Sequence, residues 1–106
     1  MMKFVVMFRT PDAPADFENA YNDFLALVER MPHIQRRQVV HIMGSPLGEA
    51  PYYRMLEIYF DTQEDMQESL MSPAGQEAGN ELRRFAPDTF DVQFAAVYEE
   101  TGGRTR

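Results

Sequence analysis

The spacing of apolar side chains along the chain predicts alternating strands and helices. In residues 14–31, apolar side chains recur every three or four positions, which places them on one stripe of a helix. Residues 52–60 and 90–99 are rich in β-branched and aromatic residues, which favours strands. The predicted order is strand 3–9, helix 14–31, strand 35–43, strand 52–60, a helix that is broken or restarted at Ser72-Pro73, and strand 90–99.

Cap and breaker residues support this order and define a fold class. Pro14 suits a first helical position, Pro32 disfavours helix beyond Met31, and Asp61 or Thr62 offers a cap for the second helix. A β-α-β-β-α-β order is a recurring split unit, in which the strands form an antiparallel sheet with both helices on one face. We therefore predict an α+β, ferredoxin-like βαββαβ domain over residues 1–100, and a flexible C-terminal tail over residues 101–106.

The predicted strands are apolar on both faces, which is unusual for a two-layer domain. In the first, third and last strands, one face carries an apolar set, which we assign to the helices. The other face mixes apolar residues with Arg9, Glu57, Asp91 and Gln93. A sheet covered by helices on one side normally turns a polar face to water. We therefore predict that the mixed face meets a second copy of the chain in a two-fold homodimer.

Composition narrows the classes of function. The chain has 106 residues, no cysteine and a net charge of -7. These values exclude disulfides and thiolate catalysis, and they disfavour nucleic acid and anionic membrane surfaces as partners. The sequence contains no apolar stretch near the roughly 18 residues of a membrane span, so we expect a cytoplasmic protein.

Several short segments, taken in order, resemble the EthD family. They include Phe4 to Arg9 with Pro11, Met31-Pro32, Gly44-Ser45-Pro46, Pro51-Tyr52-Tyr53, Ile58-Tyr59-Phe60-Asp61 and Ser72-Pro73-Ala74-Gly75-Gln76. The resemblance spans roughly residues 2–99. It implies a dimeric α/β barrel, in which two sheets enclose a cavity for a small organic molecule. It also implies auxiliary roles in degrading such molecules. Family members commonly carry a histidine four residues after the position of Tyr21, but this chain has Leu25 there, so that catalytic histidine is not carried over.

Two residues are candidate catalytic groups in the barrel cavity. Histidine is the most frequent general base in proteins, and His41 would act as one if its side of the second strand faces the cavity, which the alternation leaves open. Glu57 lies mid-strand among apolar residues, a setting in which carboxyl groups serve as general bases at functional sites. The alternative for Glu57 is a charge pair with Arg9 or another basic residue.

The remaining candidates would contact a substrate. They are Arg9, Tyr21, Phe24, Leu25, Tyr53, Tyr59 and Gln93. His33 follows Pro32 and is predicted to be a solvated turn residue. Two histidines without carboxylates at ligand spacing predict no metal site, and we expect no bound cofactor.

Three functions remain open from the sequence. The first is a small-molecule-binding protein with cofactor-independent oxidoreductase or monooxygenase activity on a phenolic or similar compound. The second is a non-catalytic accessory or ligand-binding protein. The third is haem binding through His41.

Overall fold

A computed structural model describes residues 1–100 and 102 of the chain. The predicted tail, 101–106, lies outside the described residues except for Gly102. Among the described residues, no helix is both long enough and apolar enough to cross a membrane. The elements are β1 (Met2–Arg9), α1 (Pro14–Val28), β2 (Arg36–His41), β3 (Tyr52–Phe60), α2 (Gln63–Met71), α3 (Pro73–Leu82), a short 3₁₀ helix (Pro87–Thr89) and β4 (Phe90–Ala96).

The four strands form one antiparallel sheet in the order β2-β3-β1-β4. The two central strands are therefore β1 and β3, in which Val6 lies opposite Leu56 and Phe4 opposite Ile58. The pairing of β1 with β3 is interrupted by an irregularity between Phe8 and Arg9. This order and pairing confirm the predicted ferredoxin-like α+β fold.

The first helix ends three residues before the predicted boundary at Met31. Its last turn tightens, because the amides of Arg30 and Met31 donate to the carbonyls of Leu27 and Val28, at 3.1 and 3.0 Å. Hydrogen bonds between residues three apart form a 3₁₀ turn, which is common at the ends of α-helices. The chain then leaves the helix through Pro32 and His33, whose φ of 68° is in the left-handed region.

The predicted interruption at Ser72-Pro73 is confirmed, and it divides the second helical region into α2 and α3. The hydroxyl of Ser72 accepts a hydrogen bond from the amide of Gly75 at 3.1 Å. The α2 helix has its own cap, since the hydroxyl of Thr62 accepts from the amide of Asp65 at 3.0 Å. Serine and threonine at the N-cap satisfy amides that have no partner within the helix.

The core lies between the helices and one face of the sheet, as the strand alternation predicted. Val6, Phe8, Leu56, Ile58 and Phe60 are buried there. The helices cover the central strands better than the edges. On the outer strand β4, Val92 and Phe94 share this face but stay 39% and 65% exposed. The prediction that the helices cover this apolar set is therefore wrong for Val92 and Phe94.

Candidate functional site

A pocket of about 390 Å³ opens at the N-terminal end of α1. Three elements surround it: the end of β1 with the loop that follows, the first two turns of α1, and the connection between α3 and β4. Its lining residues are Phe8, Arg9, Pro11, Asp12, Ala13, Asp16, Phe17, Ala20, Phe85, Ala86 and Thr89. The pocket therefore lies within one chain, on the helix side of the sheet.

Three phenylalanine rings form the apolar part of this pocket together with Pro11, Ala13, Ala20 and Ala86. The ring centroids of Phe8 and Phe85 are 5.1 Å apart, those of Phe8 and Phe17 are 5.3 Å apart, and those of Phe17 and Phe85 are 5.8 Å apart. The rings meet at tilted and edge-to-face angles, which are the favourable arrangements for aromatic pairs. Such a surface attracts an apolar or aromatic ligand and offers it no hydrogen bond.

The charged residues of the pocket are Arg9, Asp12 and Asp16. Arg9 is held in place by β4 and its preceding turn, because it pairs with Asp91 at 2.8 Å and donates to the carbonyl of Asp88 at 3.3 Å. Its guanidinium also lies 5.3 Å from the ring centre of Tyr52. Charged groups are thus available to a ligand whose apolar part lies on the rings.

Directly behind Phe17, a half-buried ion pair joins the sheet to α1. Arg54 on β3 is 3% exposed and donates to both carboxylate oxygens of Glu18, at 3.0 and 2.7 Å. The hydroxyl of Tyr53 also donates to Glu18, at 3.2 Å. The guanidinium of Arg54 is 5.5 Å from the Phe17 ring centre and 4.8 Å from that of Tyr21. One wall of the pocket is therefore backed by a cation.

The contacts of this ion pair alter the pKa values of its members. Hydrogen bonds from Arg54 are the main reason that the pKa of Glu18 is lowered, and the same bonds raise the pKa of Arg54. Burial raises the pKa of the Tyr21 hydroxyl, which has no hydrogen-bond partner within the described part of the chain. Glu18 and Arg54 are therefore both held in their charged forms.

The face of the sheet that the helices leave uncovered carries a second polar group. The ammonium of Lys3 contacts the carboxylate of Glu57 at 2.6 Å, and Glu57 is only 8% exposed. The hydroxyl of Tyr59 donates to the amide oxygen of Gln38 at 3.1 Å, and Arg36 lies 4.3 Å from the Tyr59 ring centre. The hydrogen bond to Glu57 is the main reason that the pKa of Lys3 is raised. We call this surface the open face.

The candidates predicted from sequence do not form a single group. Glu57, Tyr59 and Gln93 lie on the open face, as predicted, and Glu57 pairs with Lys3 rather than with Arg9. Tyr21 and Phe24 are core residues, and Leu25 packs against that core. Phe24 also meets Phe8 edge to face at 6.4 Å.

His41 and Tyr53 lie elsewhere than on the open face. His41 is exposed on the edge strand β2 and pairs in register with Arg54, so it shares the helix side of the sheet. The alternation placed Tyr53 on the open face, which is wrong: its ring packs edge to face on Phe17 at 5.5 Å. The irregularity opposite Phe8 and Arg9 breaks the simple alternation at this end of β3.

The sequence pattern did not predict the Arg54–Glu18 ion pair that lies behind the pocket. One signal was available: Arg54 shares its strand face with Leu56, Ile58 and Phe60, so a charged residue interrupts a purely apolar set. A buried arginine requires an acidic partner, but α1 and its neighbours offer several carboxylates. The choice of Glu18 therefore depends on helix placement, which the sequence pattern does not specify.

The fold and the pocket define a class of protein: a ferredoxin-like α+β domain with one open sheet face and an apolar pocket beneath its helices. The chain belongs to the EthD family, since residues 10–89 match the EthD domain. This confirms the resemblance inferred from sequence. No curated protein matches the chain.

Several solved structures share this fold, and one of them is an EthD family protein. An ethyl tert-butyl ether d (EthD) family protein from Bacillus halodurans C-125 is 26% identical, with a TM-score of 0.88, over 92% of this chain and 99% of that one. A hydroxynitrile lyase from Passiflora edulis is 14% identical, with a TM-score of 0.74, over 95% and 96% of the two chains. SnoaB, a cofactor-independent oxygenase from Streptomyces nogalater, is 17% identical, with a TM-score of 0.68, over 93% and 94%. Other similar structures are described as dimeric ferredoxin-like proteins of unknown function.

Proposed function

We propose that the protein binds a small organic molecule with an apolar body in the pocket at the N-terminal end of α1. The observation that carries this proposal is a volume of about 390 Å³ above the rings of Phe8, Phe17 and Phe85. Small-molecule pockets usually measure about 300–1,000 Å³ and are largely apolar, with a few polar groups. Because a cavity of about 150 Å³ already admits benzene, this pocket has room for one or two rings.

The ligand class follows from the distribution of polar groups in the pocket. Three aromatic side chains favour a ring or a branched hydrocarbon, and Arg9, Asp12 and Asp16 offer charged partners for a hydroxyl group. A phenol combines an apolar ring with one hydroxyl that both donates and accepts. Phenols and similar compounds are therefore the proposed ligands.

A substitution that fills the pocket tests this proposal. Ala20 lines the pocket, whereas Ala26 is exposed on the same helix. Ala20→Leu should weaken the binding of phenol, catechol or 1-naphthol by roughly tenfold, as measured by calorimetry, because the added side chain occupies ligand space. Ala26→Leu is the matched control and should leave the affinity unchanged. Equal affinities in both variants would mean that the ligand binds outside this pocket.

Two protomers would form a homodimer by packing their open faces against each other. Val5, Met7, Met55 and Ala95 provide apolar area on this face, and similar folds are described as dimeric. In a two-fold dimer the same surface meets itself, so Lys3 and Glu57 of each chain would line a central cavity. The sequence-based prediction of a ligand in that cavity stands as an alternative location.

Cofactor-independent oxidation is a narrower proposal that applies to the alternative location, the cavity between two open faces, where Glu57 is the candidate base. In this chemistry the protein removes a proton from an electron-rich substrate, which then reduces oxygen itself. The Glu57 carboxylate is buried on the open face, but it would have to take the proton in competition with its contact to Lys3. Similar folds include both an oxygenase and a lyase, so the fold alone does not select this chemistry.

Oxygen uptake with a panel of phenols tests the narrower proposal. Glu57→Gln should lower turnover by at least about a hundredfold if the carboxylate is the general base. His41→Gln is the second variant, because the sequence named His41 as the other candidate base. If turnover is unchanged in both variants, neither Glu57 nor His41 is the general base. If the native protein takes up no oxygen with any phenol, the narrower proposal fails and ligand binding without catalysis is the remaining function.

A further inference from the structure

The connection between α1 and β2 brings His33 against the side of α2. His33 follows Pro32 and has a φ of 68°, a conformation that turns the chain sharply after α1. Its ring points to two carboxylates of α2 and stays partly exposed. This region is separate from the pocket at the N-terminal end of α1 and from the open face.

Two ligand atoms come from one face of α2. Asp65 and Glu68 are three residues apart, a spacing that places side chains on the same side of a helix. The Nδ1 atom of His33 is 3.9 Å from Oδ1 of Asp65, and Nε2 is 3.0 Å from Oε2 of Glu68. These two contacts involve different nitrogens of the ring, but one nitrogen of His33 and one oxygen of each carboxylate lie within 4.8 Å of one another.

We propose that His33, Asp65 and Glu68 form a binding site for a divalent transition-metal ion such as Zn²⁺. Bonds of about 2.0–2.2 Å place the ligand atoms of a tetrahedral zinc ion about 3.3 Å apart. The three ligand atoms lie within 4.8 Å of one another, so side-chain rotations that move them by up to about 1.5 Å would bring them to that separation. The mixed nitrogen and oxygen donor set suits Zn²⁺, Co²⁺ or Mn²⁺ better than the all-oxygen preference of Ca²⁺ and Mg²⁺.

The charges around the cluster favour a cation. Residues 61–68 contain Asp61, Glu64, Asp65 and Glu68 and no lysine or arginine. Two carboxylates at the site balance the charge of a divalent ion, and the remaining acidic residues add to a negative local potential. Water molecules would complete the coordination, because the cluster is open to solvent. The site would link the α1–β2 connection to α2 and stabilise the native fold by mass action.

The sequence spacing did not predict this cluster, because the two carboxylates are more than thirty residues from His33. They approach it only when α2 lies against the connection between α1 and β2. The chain has no cysteine and two histidines, so metal binding through imidazole has only two possible sources. His41, exposed on β2, is therefore a matched control for His33.

Calorimetric titration of the full, untagged chain with ZnCl₂ tests the site. We expect saturable binding of one Zn²⁺ per chain, with an affinity that millimolar Mg²⁺ leaves unchanged. His33→Asn should weaken binding by at least about tenfold, since the loss of a direct ligand should cost no less than the loss of a supporting residue. Asparagine tolerates a positive φ, so this substitution retains the turn.

Two further variants make the result decisive. Glu68→Gln changes an exposed side chain and should weaken Zn²⁺ binding without changing the fold, whereas His41→Asn should bind like the native protein. The proposal is overturned if the native chain shows no saturable binding. It is equally overturned if His33→Asn and Glu68→Gln bind Zn²⁺ as tightly as the native chain, or if His41→Asn alone loses binding.

Discussion

Arg54 and Glu18 form a two-point ion pair between the centre of the sheet and α1, with hydrogen bonds of 3.0 and 2.7 Å. The two partners differ in exposure: the side chain of Arg54 is 4% exposed and that of Glu18 is 40% exposed. Because Arg54 also lies behind Phe17, this pair supports one wall of the pocket. The difference in exposure makes the pair testable. Removing Glu18 leaves a buried positive charge on Arg54, whereas removing Arg54 leaves a negative charge on Glu18 that water can solvate.

Glu18→Ala should destabilise the protein more than Arg54→Met. The first change leaves a buried guanidinium without its partner, at a cost of about 3 kcal/mol in the free energy of unfolding. The second leaves a carboxylate that reaches water, and the cost is about 1–2 kcal/mol, mainly from lost contacts with aromatic rings. Urea unfolding measures both. Glu29→Ala removes an exposed partner of Arg37 and should cost less than about 1 kcal/mol. A larger loss for Arg54→Met would contradict the account.

Acid should remove the stability that Glu18 provides. Because Arg54 lowers the pKa of Glu18 in the folded state, the carboxylate contributes stability that is fully present above its unfolded pKa, about 4.3. That contribution is lost as the pH falls through the lower pKa of the folded state. The difference in stability between the native protein and Glu18→Gln should therefore be constant from pH 7 to pH 5 and shrink below pH 4. A difference that persists unchanged at pH 3 would argue against this ion pair.

Two glycines of α3 should respond to alanine in opposite directions. A Cβ atom at Gly75 would collide with the backbone carbonyl groups of Ser69 and Leu70, where α2 meets α3. Gly75→Ala should therefore cost about 2 kcal/mol or more. A Cβ atom at Gly79 meets nothing within 4 Å, so Gly79→Ala should stabilise the protein by about 0.5–1 kcal/mol through helix propensity. Thermal unfolding compares the two, and equal effects would mean that α2 and α3 are packed differently.

The proposed dimer should have twice the 12.3 kDa mass of one chain in solution. Met55→Lys places a charge on the open face and should shift the mass measured by light scattering toward a monomer. Met71, at the end of α2, is 71% exposed and lies away from the open face, so Met71→Lys should leave the mass unchanged. A native protein that stays monomeric at 12.3 kDa would overturn the joining of the two sheets.

The strand faces were predictable from sequence because their alternation has a period of two and one face is purely apolar. Val6, Leu56 and Ile58 lie on the helix side as that rule requires. Tyr53 departs from it because the ladder is irregular opposite Phe8 and Arg9. For His41 the rule gave no answer, since β2 has few apolar residues to mark its buried side.

The pocket and the metal-ligand cluster could not be predicted, because each depends on how helices pack. Phe8, Phe17 and Phe85 belong to three separate elements, and each reads in the sequence as an ordinary core residue. His33 likewise reads as a turn residue until α2 brings Asp65 and Glu68 beside it. Sequence periodicity identifies the buried side of an element, whereas the helix and loop positions decide which side chains meet.

The central claim is that the ligand binds within each chain, on the helix side of the sheet. A crystal structure of the full chain soaked with 1-naphthol measures this most directly. We predict that the ligand ring lies against Phe8, Phe17 and Phe85, with its hydroxyl toward Arg9 or Asp16. A ligand bound instead between two open faces, beside Glu57 and Tyr59 and with the pocket of each chain unfilled, would contradict the claim.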